Sequence, residues 1–510
     1  MVKPDDPKYP VIVETANGRL RGFKQREVCE FLGVPYGTAE RWQKPSPIEP
    51  WKGIVNCMTL GDICPRFSGY KTLDDNFQPR PFVNMSENCL NLNIFTKTLE
   101  KDAKKPVVFY CHGGGFNDGA AMAQWSYDQE ATANYGDVVA VALNHRLNIF
   151  GYLDCSRYGA EYANSGNCGQ ADIVLALKWV HDNIESFGGD PANVTIYGQS
   201  GGGGKVTSIM QTPEADGLYH KVIAMSGIIE GMPNDQKEGY SEKVIHALMK
   251  ELNTNDFNDV VQLSSEDLLD LARKVAADPS NGITMRDWSP VKNDWFLGDA
   301  RSAGFTEYGK KVPMIIGSCI AEFIASYKAE NKDSLSEAER EEIVRKNCLP
   351  GTSDALIETW RKTWPDKNLV GALAFGGMRL GILEYAEKRI SDSCSAPTWV
   401  YLFAHNFKWK GGSLAWHSSD IPFLFHNLAL YPNLDDGVDS KRLEDQMSQC
   451  LYHFAHKGNP NNDSLNTDWT SYTKENHATM ILDTKCEVKK DFDQEVNEAR
   501  KSAGIKGPFD

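Results

Sequence analysis

No uninterrupted apolar run in the 510 residues is long enough to span a bilayer, and the opening Met1-Val2-Lys3-Pro4-Asp5-Asp6 lacks the apolar core of a secretory signal. The expectation is a soluble, cytoplasmic protein with no membrane span, or a secreted one if a leader has been trimmed away. Positive charge is also scarce. Lys and Arg number 54 against 69 Asp and Glu, a formal net charge of -15, which argues against nucleic acid as a partner. The 12 cysteines show no paired C-x-x-C spacing, so neither a zinc site nor a compact disulfide framework is expected, and most read as reduced core thiols. Cys64 and Cys89 could pair in an oxidising compartment. Internal repeats and low-complexity segments are missing as well.

Hydrophobic residues make up 41% of the chain and aromatics 10%, enough to place it among globular proteins with a large core. The length suits two or three domains, or one large α/β enzyme with insertions.

The most informative stretch runs from Ala192 to Lys205, where the β-branched Val194-Thr195-Ile196-Tyr197 breaks into Gly198-Gln199-Ser200-Gly201-Gly202 and a helical pattern resumes. A serine hydroxyl is a poor nucleophile until it is lifted onto a sharp strand-to-helix turn where a base can reach it. Small neighbours permit that turn, and the helix after it offers unpaired N–H groups to a developing oxyanion. The glycines also invite a phosphate-loop reading. That pattern needs glycine where Gln199 stands and Ser or Thr where Val206 stands, and it fails at both.

Along the chain, Val11–Thr15 and Leu20–Phe23 flank Asn17-Gly18 as a hairpin, and Phe31–Tyr36 adds a short strand. Pro106–Cys111 is a continuous apolar run, the pattern of a strand buried on both faces, and it ends in His112-Gly113-Gly114-Gly115-Phe116. Glycines there let the backbone approach a ligand and turn N–H groups toward negative charge, a second oxyanion segment. Asp137–Leu143 reads as a strand, Asp172–Phe187 as a helix, and Val222–Gly227, Val312–Gly317 and Pro397–Phe403 as further strands, the last being the final strong one. Polar helical patterns at about 231–290 and 334–370 read as insertions. The tail from Lys489 reads as a charged surface helix. This alternation predicts one α/β domain over residues 1–510, a large mostly parallel sheet with helices on both faces and active groups at the strands' carboxyl ends.

A serine elbow needs a histidine base and a carboxylate to fix its tautomer, in the chain order serine, acid, histidine. His417 combines a loop after a strand with small neighbours, and Glu322 follows a buried strand between Ser200 and His417. Asp420 competes for the acid's role but reads more naturally as a group that fixes the loop.

With these residues assembled, the chain resembles the type B carboxylesterases, the family of cholinesterases and p-nitrobenzyl esterases. The likeness covers nearly the whole length, with echoes at Phe31–Tyr36, Pro45–Gly53, Ser86–Phe95, His112–Phe116, Asn144–Tyr152 and Gly166–Gly202. It implies an α/β-hydrolase fold with Ser200 as nucleophile, Glu322 as acid, His417 as base, and the amides of Gly114, Gly115 and Gly201 as oxyanion donors. The reaction implied is hydrolysis of a small-molecule ester through an acyl-enzyme, with no metal or cofactor. Amidase or thioesterase chemistry would use the same groups, and neuroligin-like adhesion proteins share the fold. Gln199 stands where the family often has glutamate, Gly201 where it has alanine, and Ala321-Glu322-Phe323 where it has Asp-Glu-Gly. Phe116, Trp125, Phe323 and Trp416 adjoin these segments and are candidate pocket walls. Oligomeric state is left open.

Overall fold

The computed structural model describes residues 10–67, 83–285, 287–324, 334–409 and 412–505, which fall into two compact units. Part of the polar loop between Cys64 and Cys89, residues 68–82, lies outside the described residues, as does position 286 of the first expected insertion.

The first unit takes the described residues up to Lys221 together with Pro233–Gly309. Its sheet begins at the Asn17-Gly18 turn, where β1 (Pro10–Thr15) pairs antiparallel with β2 (Gly18–Gln25). The meander continues through β3 (Val28–Pro35) to β4 (Asn91–Thr96). Strands β5 (Lys105–Cys111), β6 (Val139–Leu143) and β7 (Gly189–Gln199) then run parallel, with β5 in the middle. Their nearly unbroken apolar sequences suit strands covered on both faces, and every residue of β6 is buried. Gly198 pairs with Cys111 across β7 and β5, so the serine turn and the glycine loop leave the sheet from neighbouring rows.

Helix α1 (Cys168–Asn183) starts earlier than its apolar spacing suggested, and Ile184–Phe187 tightens into a 3-10 turn ended by Gly188 at φ 76°. Helix α2 (Gly201–Ile209) follows the serine directly. The stretch near 231–290 carries α3 (Tyr240–Glu251) and α4 (Ser265–Ala277). Each buries an apolar stripe, in α4 Leu268, Leu269, Ala272 and Val275, while Ser264 caps α4 by accepting the Asp267 amide at 3.1 Å.

The second unit takes Val222–Met232 and the chain from Lys310 onward. Strands β8 (Lys221–Met225), β9 (Met314–Cys319), β10 (Thr398–Phe403) and β11 (Ala478–Leu482) are parallel in that order, and β12 (Glu487–Lys490) closes the edge antiparallel to β11. Pro397–Phe403 is therefore not the last strong strand. Ala478–Leu482 is wholly buried beside it, its short run of five residues set off by a polar approach that masks its character in the sequence. The charged stretch after Ser334 forms α5 (Glu337–Asn347) and α6 (Ser353–Thr363), and the tail ends in a helix over Gln494–Ser502. Among the described residues no helix is long and apolar enough to cross a membrane.

Candidate active site

The first unit carries the serine turn. Ser200 sits between β7 and α2 at φ 58° and ψ -128°, a backbone region that a side-chain-bearing residue adopts only when its surroundings hold it there. Such strain at the junction of a buried strand and a helix raises the hydroxyl above both. The glycine loop lies directly against it. A Cβ built on Gly113 would come within 3.3 Å of the Ser200 Cβ and 2.9 Å of the Gln199 carbonyl oxygen. One built on Gly201 would come within 2.2 Å of the Gly115 carbonyl oxygen. Gly114 holds φ 97°, and its carbonyl accepts the amides of Asp118 at 3.0 Å and Asn117 at 3.3 Å, which folds the loop back on itself. The head of α2 and the loop thus bring the peptide groups of Gly114, Gly115 and Gly201 together.

The second unit carries the acid and the histidine. His417 Nδ1 donates to Glu322 Oε2 at 2.5 Å, while Glu322 Oε1 accepts the Ser226 hydroxyl at 2.7 Å and the Cys319 amide at 2.7 Å. Three donors converge on one carboxylate whose side chain is almost wholly enclosed. With the proton held on Nδ1, Nε2 is the basic nitrogen of the ring. Main-chain bonds hold the two loops in step. Ile320 N donates to Phe403 O, Ala321 N to Ala415 O, and His417 N to Glu322 O at 2.7 Å. Asp420 is buried one turn beyond the histidine, accepts the Tyr401 hydroxyl at 3.0 Å and heads the short helix Ile421–Leu424. Burial, followed by the Glu322 charge, pushes its carboxyl up to about 7.

The four candidate wall residues lie in different settings. The Phe323 ring is 4.6 Å from the His417 ring, and buried Trp416 packs on Phe407 at 4.9 Å. Phe116 is buried edge-on against Tyr152 at 5.3 Å, whereas Trp125 is 50% exposed.

The carboxylesterase family model matches residues 9–500. The chain belongs to the carboxylesterase family. It is 30% identical to the para-nitrobenzyl esterase of Bacillus subtilis (strain 168) over 499 residues, covering 95% of this chain and 97% of that protein. It is 28% identical to mouse carboxylesterase 1F over 558 residues, with 99% and 96% covered. Among solved structures, an esterase from anaerobic Clostridium hathewayi that can hydrolyse aliphatic aromatic polyesters superposes with a TM-score of 0.91 at 38% identity, covering 97% of this chain and 98% of that one. This carboxylesterase accordingly has the α/β-hydrolase fold and is a serine hydrolase of carboxylic esters. The amidase or thioesterase alternative and the adhesion alternative are not favoured by these relatives.

Sequence reasoning missed Ser226 and Cys319. Both belong to strand ends of the second unit, and nothing in their own residue types marks them as donors to Glu322. Ser226 does carry φ 47° immediately after β8, a backbone feature that becomes visible only in three dimensions.

Proposed function

We propose that Ser200 is the nucleophile of this esterase, His417 its general base and Glu322 the carboxylate that orients and stabilises the imidazolium. The observation that carries this reading is the strained Ser200 backbone at the head of α2, packed against a loop of glycines. Ser200 Oγ attacks the ester carbonyl as His417 takes its proton. The amides of Gly114, Gly115 and Gly201 receive the oxyanion, the alcohol leaves with the proton returned by His417, and water activated by the same ring hydrolyses the acyl-enzyme.

The substrates on this reading are small or medium carboxylic esters. Phe323, beside the His417 ring, offers aromatic surface to an aryl or alkyl group. The likeness to the polyester-hydrolysing Clostridium hathewayi esterase supports adding chain ends of aliphatic–aromatic polyesters to that class. A cytoplasmic location fits twelve cysteines that are all free thiols, ten of them buried.

The test is fluorophosphonate labelling with mass mapping, paired with hydrolysis of p-nitrophenyl butyrate and release of monomers from a polyester film. Label on Ser200, and loss of label and turnover together in a folded Ser200→Ala variant, are expected. Hydrolysis retained by that variant overturns the assignment.

A further inference from the structure

The reaction as drawn leaves one buried cation without a task. Lys205 lies on α2, four residues after Gly201, and its side chain is fully enclosed. Helical side chains lean toward the helix N-terminus, and Lys205 Nζ accordingly reaches back to donate to the His112 carbonyl oxygen at 2.9 Å. That carbonyl belongs to the peptide that opens the glycine loop. The lysine therefore ties the helix bearing Gly201 to the loop bearing Gly114 and Gly115.

An ammonium removed from water is costly unless an anion pairs with it, and among the described residues Lys205 makes no salt bridge to a carboxylate. Its neighbours are weak partners. At the end of β5 lie Cys111 and the His112 ring, from the glycine loop Asp118 acts at longer range, and Cys64 faces it from a separate segment. After β6 come His145 and Arg146, with the His145 ring 5.1 Å from that of His112. Burial first, then the Lys205 charge, holds both histidines well below their ordinary range, so neither competes as a second cation. The oxyanion that forms beside the same glycine loop is a transient negative charge that this ammonium can answer.

We infer that Lys205 is a positioning residue of the ester hydrolysis, whose ammonium, seated on the His112 carbonyl, holds the glycine loop in register with α2 and supplies positive potential to the oxyanion. This rests on the reading of Ser200 given above. The charge is conditional, because burial draws the Lys205 ammonium down to about 7 against the opposing influence of Cys111, Asp118 and Cys64. Turnover therefore falls as Lys205 loses its proton.

The experiment is steady-state kinetics on p-nitrophenyl butyrate across pH 5.5 to 9 with the full chain, Lys205→Met and Lys205→Gln. Lys205→Met removes both hydrogen bond and charge, and its kcat at pH 6.5 is expected to fall by about 10-fold to 100-fold with KM within about threefold. Lys205→Gln keeps a donor for the His112 carbonyl but no charge, and an intermediate kcat is expected. The falling limb of the wild-type kcat profile near pH 7 is expected to vanish in both variants. A folded variant whose kcat stays within about twofold of wild type, or which keeps the falling limb, overturns the inference. If neither variant folds, a wild-type kcat that stays flat from pH 6 to 9 overturns it. Failure of the nucleophile assignment reads out separately, as turnover retained by Ser200→Ala.

Discussion

Gly201 and Gly115 stand so close that a methyl group on the first would lie 2.2 Å from the carbonyl oxygen of the second. Glycine at 201 is thus the one residue that lets the loop approach the helix head this closely. Gly201→Ala is expected to push the loop away from α2 and misplace its amides, lowering kcat by about 10-fold to 100-fold while KM changes little. Stopped-flow acylation kinetics with a chromogenic ester, alongside circular dichroism for folding, measure this directly.

Glu322 is held by three donors and in turn holds the His417 Nδ1 proton. Glu322→Gln offers an amide in place of the carboxylate, which permits the wrong tautomer and removes the charge that supports the imidazolium. A fall in kcat of about 1,000-fold to 10,000-fold is expected, with little change in melting temperature. Ser226→Ala removes a single donor and is expected to produce a much smaller loss. Equal losses from the two substitutions would contradict this ordering.

A stability prediction comes from Glu30, buried in β3 with Oε1 lacking a hydrogen-bond partner. Burial, then the charges of Asp128 and Glu130, pushes its carboxyl up to about 8 in spite of Arg26. A carboxyl with a raised folded-state pKa binds its proton more tightly in the folded chain. Its stabilising contribution is complete below the usual 4.5 and is lost as pH rises through about 8. Glu30→Gln is expected to flatten this dependence, melting close to wild type in acid and about a few degrees above it at pH 9. Differential scanning calorimetry over that range checks the sign.

The Asn144–Tyr152 segment has a structural task. Arg146 clasps Asp172 of α1 through Nε at 2.9 Å and Nη2 at 2.7 Å, and its Nη1 also donates to the carbonyls of Glu40 and Gln43. Both charges are enclosed. Asp172→Ala leaves the guanidinium buried without its anion and is expected to cost about 3–5 kcal/mol in urea denaturation.

Much of this architecture was legible in the residues because strong local signals coincided with it. Pro106–Cys111 and Val194–Gln199 announce buried strands by apolar continuity, and the glycines after each announce turns that no bulkier residue tolerates. Ala478–Leu482 escaped notice because its partner, Thr398–Phe403, lies far upstream and the helix Val438–Lys457 intervenes. A parallel pairing of that kind leaves no hairpin signature. Lys205 ends the glycine run that fails the phosphate-loop pattern, and its residue type alone gives it no other role. That its ammonium turns inward to His112 depends on packing around α2, which spacing along the chain does not encode. Ser226 was hidden for a related reason, since its hydroxyl gains a role only where β8 and β9 lie side by side.

The ladder of main-chain bonds that joins the Glu322 loop to the His417 loop makes no use of side chains. The side chains of Ala321 and Phe323 can therefore change without unseating Glu322 from the His417 ring. The residues flanking Glu322 are the place to reshape this surface by design, because the alignment of carboxylate and imidazole is written in the peptide backbone.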